Sequence, residues 1–402
     1  MMNKLLIFAL LVSCFSLTAQ ELRFAEAEDF EDYQTILERA RDKDQMLLVV
    51  LHRGGGALRD MYNQGVFKQR QVAALDQQYF PVAIDLREPM GENFASVFPP
   101  EEVPEFYFLN EDEFLIERAG GFLAADTLVT LAENALSQRH RYDSLLVKYQ
   151  KLNLSQAEWL ELIRLHGLNF NYTETASLAW GFLNGLNDQS LLSAQILPLT
   201  VRYGLDLETR YPLFVIEHRK TIEQKLKSFD FNEFFAQTYS YNLDLAIVNQ
   251  DSVLLEKIIE QLLPHQPAAN QKQLTVKTYV EYAKETEDFE KATDGLIRFS
   301  EKSTSDSLEE DLFDLAFYIA DNYNDSASIS SANRLAERAS EVKKGYANLM
   351  LTAYTHYLLE NYDEALKFTS EANRSTSDKD QIVKASRLAG MIRKAQEEKS
   401  DK

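Results

Sequence analysis

Hydrophobic and polar positions change period once along the chain, near residue 137. Upstream, short apolar runs alternate with helical stripes. "LRFAEA" (22 to 27) is brief and alternating, and Phe30, Tyr33, Ile36, Leu37 and Ala40 then fall on one helical face. "MLLVVL" (46 to 51) is continuously apolar, the pattern of a central strand buried on both faces. Helical text follows from Ala57 to about Gln78, and "YFPVAID" returns to strand. "FYFL" (106 to 109) and "FLIERA" (114 to 119) flank the turn-rich "NEDE", which predicts a hairpin. After Gly120-Gly121 a last helix is expected from about Ala124 to Ser137. The order β-α-β-α-β, hairpin, helix predicts an α/β domain, a central mixed sheet with helices on both faces.

From Gln138 onward the strand signals vanish and about a dozen helices of roughly 10–18 residues are expected. Ser155 and Glu158 form a capping box ahead of "WLELIRL". "LPHQPAAN" (263 to 270), with two prolines, is the clearest break. The expected divisions are a leader at 1–20, an α/β domain at 21–137, an α-helical domain at 138–265 and an all-α repeat domain at 266–402. In the last, Ala320, Ala332 and Ala339 are spaced 12 and 7 apart, and Ala353, Ala365 and Ala372 repeat that spacing at an offset of 33. Small residues at such positions let helices cross closely and hairpins stack. "YANLMLTAYTHYLLENYDEALKFTSEANR" resembles a tetratricopeptide repeat through Ala353, Tyr362, Ala365 and Ala372. "YVEYAKETEDFEKATDGLIRFSE" fits in part, through Phe289 and Ala292.

Composition narrows the function classes. The chain has 42 Lys and Arg against 63 Asp and Glu, a net charge of −21. Such a surface repels phosphate backbones and anionic headgroups, so neither nucleic acid nor a membrane surface is an expected partner. "MMNKLLIFALLVSCFSLTAQ" reads as an export leader, with Lys4 in the n-region and an apolar run from Leu5 to Val12. That run is too short to span a bilayer. The reading adopted is cleavage near Ala19 or Gln20 and export to the periplasm of a Gram-negative cell, with no membrane insertion. Lipidation at Cys14 is the alternative. Cys14 is the sole cysteine, so after cleavage the chain would hold none.

The junction "LHRGGGALRDM" (51 to 61) carries the most informative local text. "MLLVVLHRGGGALRDMYNQGVF" resembles the thioredoxin family, whose exported members run from an apolar strand through Trp-Cys-x-x-Cys-Lys to Met and Val-Phe. Aligning Met61 puts Gly55 and Leu58 on the cysteine positions and Arg59 on the lysine. "FPVAID" matches the next strand, and "VPEFYFLNEDEFLIERAGGF" matches the segment that begins with the family's cis-proline. The resemblance covers about 115 residues and implies that Val103-Pro104 is cis. It departs at both cysteines, at the preceding tryptophan, and at Glu105 in place of threonine. Thiol-disulfide exchange needs a thiolate, which Gly55 and Leu58 cannot supply.

The backbone part of such a site could persist. The resemblance implies that Val103, beside Pro104, presents its backbone to an extended peptide. Arg53, Gly54, Gly55, Gly56 and Arg59 add close backbone approach, free helix N–H groups and positive charge, suited to a peptide or a small anion. The alternative is a loop that lost its cysteines and kept only its shape. Other chemistry lacks its partners. There is no P-loop Gly-Lys-Ser/Thr, no paired histidines at zinc spacing, no Gly-x-Ser-x-Gly elbow and no calcium-loop order in "SDSLEEDLFD". The aromatic "FDFNEFFAQTYSYN" reads as helix core. No cofactor is expected. The function expected is protein or peptide binding without catalysis, an architecture similar to the chaperedoxins. The alternatives are a glutathione-transferase-like enzyme using the glycine loop, or a structural envelope component with a vestigial first domain.

Overall fold

The computed structural model describes residues 21–54, 56–169, 172–303 and 306–400. The expected leader with Cys14, and Gly55, lie outside the described residues. The chain divides into two compact units, one ending at Leu186 and the other beginning at Asn187.

The first unit holds a five-stranded mixed sheet: β1 (Ala25–Glu26), β2 (Met46–His52), β3 (Tyr79–Asp85), β4 (Glu105–Leu109) and β5 (Leu115–Gly120), in the order β1-β3-β2-β4-β5. β1, β3 and β2 run parallel, and β4 and β5 are antiparallel to their neighbours. Every residue of β2 is buried, as its unbroken apolar run predicts. Helices α1 (Phe30–Asp42), α2 (Gly56–Asn63), α3 (Arg70–Ala73), α4 (Pro89–Val97), α5 (Ala125–Gln150), α6 (Gln156–Gly167) and α7 (Tyr172–Leu183) complete the unit. Leu47, Val49, Leu51 and Tyr107 meet Tyr33 and Leu37 of α1 and Phe94 of α4 on one sheet face. On the other, the Tyr79 hydroxyl donates to the Ala132 carbonyl of α5 at 2.5 Å.

Three details correct the sequence reading. The helix expected from Ala57 to Gln78 is broken, because Gly65 takes φ +74° and leaves α2, two 3-10 turns and the short α3 in its place. α4 was not expected. Its start is set by Pro89 in the first turn, and Gly91 is required there, since a Cβ would lie 2.0 Å from the Asp85 carbonyl oxygen. The helix expected to stop at Ser137 continues to Gln150, so position 137 falls inside α5. It continues because Arg139, Tyr142 and Leu145 are buried. Arg139 donates to Asp44 and Glu111, and Tyr142 stacks on Phe114 with centroids 4.2 Å apart. The Ser155–Glu158 capping box opens α6. Beyond α6, the Asn169 side-chain amide accepts from the Leu115 N–H at 2.6 Å and donates to the Leu115 carbonyl at 3.1 Å, occupying the edge of β5.

The second unit is all-helical among its described residues. It opens with α8 (Asp188–Leu191), α9 (Leu197–Tyr203), α10 (Tyr211–Glu217) and α11 (Arg219–Lys225), shorter than the periodicity predicts. Prolines in the first turns of α9 and α10, and Gly204 packed against the Thr200 carbonyl and Tyr211, set these breaks. Then come α12 (Phe231–Val248), α13 (Ser252–Lys257), α14 (Ala268–Thr286) and α15 (Phe289–Lys302). Phe231, Phe234, Phe235 and Asn242 of α12 are buried, as a core helix requires. "LPHQPAAN" forms the 3-10 turn Leu263–His265 ahead of α14.

Last come α16 (Asp306–Asn322), α17 (Ser326–Val342), α18 (Tyr346–Leu358), α19 (Tyr362–Arg374) and α20 (Lys379–Ser400). Consecutive helices pack on one another across connections only a few residues long, as in helical hairpins. The six repeat alanines, Ala320, Ala332, Ala339, Ala353, Ala365 and Ala372, are all buried. Ala353 and Ala365 share a cluster with Leu388 and Ile392 of α20.

Candidate functional site

The C-terminal ends of β2 and β3 and the approach to β4 meet at one rim of the first unit. The parallel register pairs His52 with Asp85, and the side chains stand together, Nδ1 3.9 Å from Oδ2. The chain then turns at Gly54, where φ is +72°. A Cβ at Gly54 would press on the exposed Arg87 guanidinium at 3.2 Å, but it is the dihedral that calls for glycine here. The loop is held by a carboxylate. Asp85 accepts from the Gly54 N–H at 3.2 Å and from Arg87 Nη2 at 2.6 Å. The Arg87 guanidinium, with help from the Gly54 N–H, holds the Asp85 carboxyl well below the usual carboxylate range.

Across the rim, the Val103–Pro104 bond is cis. Pro104 is buried and its carbonyl accepts from the Gly121 N–H at 2.7 Å. Val103 is 38% exposed, and its backbone N–H and C=O have no partner among the described residues. Between the two sides lies a cavity of about 330 Å³ lined by His52, Arg53, Val103 and Pro104. Arg53 is exposed and makes no ion pair among the described residues.

Glu105, which follows the proline, does not face this cavity. It is buried within the sheet, and its carboxylate accepts from the Tyr107 hydroxyl at 3.0 Å and the Glu101 N–H at 2.9 Å and lies 3.6 Å from Arg118. Burial first, and then the Glu105 charge, push the Tyr107 hydroxyl pKa up.

Of the residues singled out from sequence, Arg53, Val103 and Pro104 line one cavity and Gly54 shapes its edge. Gly56 begins α2, with open space where a Cβ would be. Arg59 is exposed on α2 and is not among the cavity-lining residues. Sequence reasoning missed Asp85 and Arg87. The available signal was a lone carboxylate at the end of the apolar strand "YFPVAID", but only the register shows that it meets the glycine loop. No protein-family model matches the chain, and no curated protein matches it. Among the described residues no cluster of His, Cys, Asp or Glu could hold a metal ion. No described helix is long and apolar enough to cross a membrane.

Proposed function

We propose that this is an exported, redox-inactive thioredoxin-like protein, joined to tetratricopeptide-like hairpins, that binds protein segments and catalyses nothing. The strand order with its parallel and antiparallel pairings supports the fold assignment, together with the glycine turn before α2 and the cis Val103–Pro104 bond before β4. The buried alanines of α16 to α19 support the repeat assignment. One observation carries the binding reading. Val103 offers an unused backbone donor and acceptor at the wall of a cavity whose opposite wall is Arg53. An extended peptide can pair with that backbone while its carboxylate meets the guanidinium.

Asp85 limits the anion part of the site, because it already takes the Gly54 N–H and neutralises Arg87. The ligand's negative charge is therefore matched by Arg53 in the cavity, with Arg59 acting at longer range. The test is binding of an acidic peptide with a free C-terminus to the full chain and to the Arg53→Gln and Arg59→Gln variants. Arg53→Gln should weaken binding more than Arg59→Gln, and both effects should shrink at high salt. Binding unchanged in both variants overturns the reading.

A second reading places client binding on the helical unit. Phe317 is 51% exposed and stacked on Phe313, and Tyr354 is 37% exposed. Retention of partner binding in the arginine variants, with its loss when residues 270–400 are deleted, would favour this reading.

A further inference from the structure

A second cavity, of about 230 Å³, lies in the helical unit between α19 and α20. Its polar lining comes from Thr369, Ser370 and Asn373 on one wall and Ser386 and Arg393 on the other, with no carboxylate. In a chain with 63 acidic residues against 42 basic ones, a cleft lined by a cation and no carboxylate is selective for negative charge. The hydroxyls of Thr369 and Ser386 are already spent, donating to the Ala365 and Ile382 carbonyls of their own helices. The Ser370 hydroxyl, the Asn373 amide and the Arg393 guanidinium have no protein partner among the described residues. Three exposed side chains with different donors therefore line one cleft from two helices, and they are left to solvent or to a ligand.

We infer that this cleft binds a phosphate group, either inorganic phosphate or the phosphate of a small monoester. A carboxylate offers two coplanar oxygens, whereas a phosphate group offers at least three oxygens in a tetrahedral arrangement, enough for three donors from two walls. The volume is below the range of about 300–1,000 Å³ usual for drug-sized ligands, so the bound part is a small group. Arg393 supplies the charge, and Ser370 and Asn373 orient the remaining oxygens. Because the site joins α19 to α20, its occupancy would also tie the terminal helix to the last hairpin. This inference does not depend on the peptide site of the first unit.

The test is calorimetric titration of the full chain with inorganic phosphate and, separately, with glycerol phosphate, at fixed ionic strength with chloride as control. Saturable binding is expected for at least one of them. Tighter binding of glycerol phosphate would mark the phosphate as the handle of a larger ligand, and tighter binding of inorganic phosphate would mark the free ion as the ligand. Arg393→Gln should weaken binding by about tenfold or more, Arg393→Lys by less, and Ser370→Ala and Asn373→Ala each measurably. Lys227→Gln, outside both proposed sites, should leave it unchanged. All of these positions are exposed, and far-UV circular dichroism checks that the variants stay folded. No binding of either probe at millimolar concentration overturns the inference. So does binding that survives Arg393→Gln, or that falls equally with Lys227→Gln.

Discussion

Alanine is a better helix former than glycine, so Gly91→Ala in α4 would by propensity alone stabilise the protein by about 1 kcal/mol. The structure reverses that sign. The new Cβ would lie 2.0 Å from the Asp85 carbonyl oxygen, 2.6 Å from Leu86 Cα and 2.7 Å from the Asp85 carbonyl carbon. These are backbone atoms at the end of a buried strand, and no flexible side chain can swing away. Overpacking of this kind costs about 1–3 kcal/mol, and a backbone obstacle puts it near the upper end. After subtracting the propensity gain, a net loss of about 1–2 kcal/mol remains, which for a unit of this size lowers the melting temperature by roughly 2–8 °C. The displaced peptide adjoins the Leu86 N–H, which donates to the His52 carbonyl at 2.8 Å. Hydrogen exchange at Leu86 should therefore accelerate along with the loss of stability. Gly390→Ala is the internal control: it lies in α20 with nothing within 4 Å of the new Cβ, and should gain about 0.5–1 kcal/mol. The reasoning is refuted if Gly91→Ala melts at or above the wild-type temperature.

Three more outcomes are expected. Ala365→Trp, at a site with no exposed surface beside Ala353 and Ile392, should cost about 1–3 kcal/mol, and an unchanged urea midpoint would contradict the packing described. Hydrogen bonds from Lys148 and from Ser155 hold the Glu158 carboxyl down at about 2 against an ordinary 4.5. Its contribution to stability is thus present above pH 4.5 and lost as pH falls toward 2, and a carboxyl-carbon NMR titration with a midpoint near 4.5 would refute the pairing. Protein cleaved after Gln20, which carries no thiol, should reduce insulin no faster than buffer, and turnover above background would sink the redox-inactive reading.

Elements whose burial is continuous or strictly periodic were legible. β2 is apolar from Met46 to Leu51 because it lies inside the sheet with both of its faces buried, and α1 buries Tyr33, Ile36, Leu37 and Ala40 of the stripe that its spacing predicts, but not Phe30, which is 61% exposed at the helix start. α4 was not legible, since "PMGENFASV" holds a proline and a glycine, and its helicity rests on packing Met90 and Phe94 against residues distant in sequence. The break after α2 had a visible signal in Gly65, outweighed by the helical periodicity on either side of it. At the site, the glycine turn and Val103-Pro104 could be read locally. The carboxylate that holds the turn could not, because Asp85 meets Gly54 through strand register, and register is a property of two segments at once.

The side-chain amide of Asn169 has a consequence for how this protein can be divided. β5 ends the sheet, and an open strand edge is a template on which a second chain can extend it. At Leu115 both backbone groups are already taken by Asn169, from a segment far beyond the last strand. A fragment trimmed to the sheet and its nearest helices would carry every strand and still have one sticky side. Such a fragment would leave the Leu115 N–H and carbonyl free to pair with a second chain, whereas one extending to Leu186 keeps them covered.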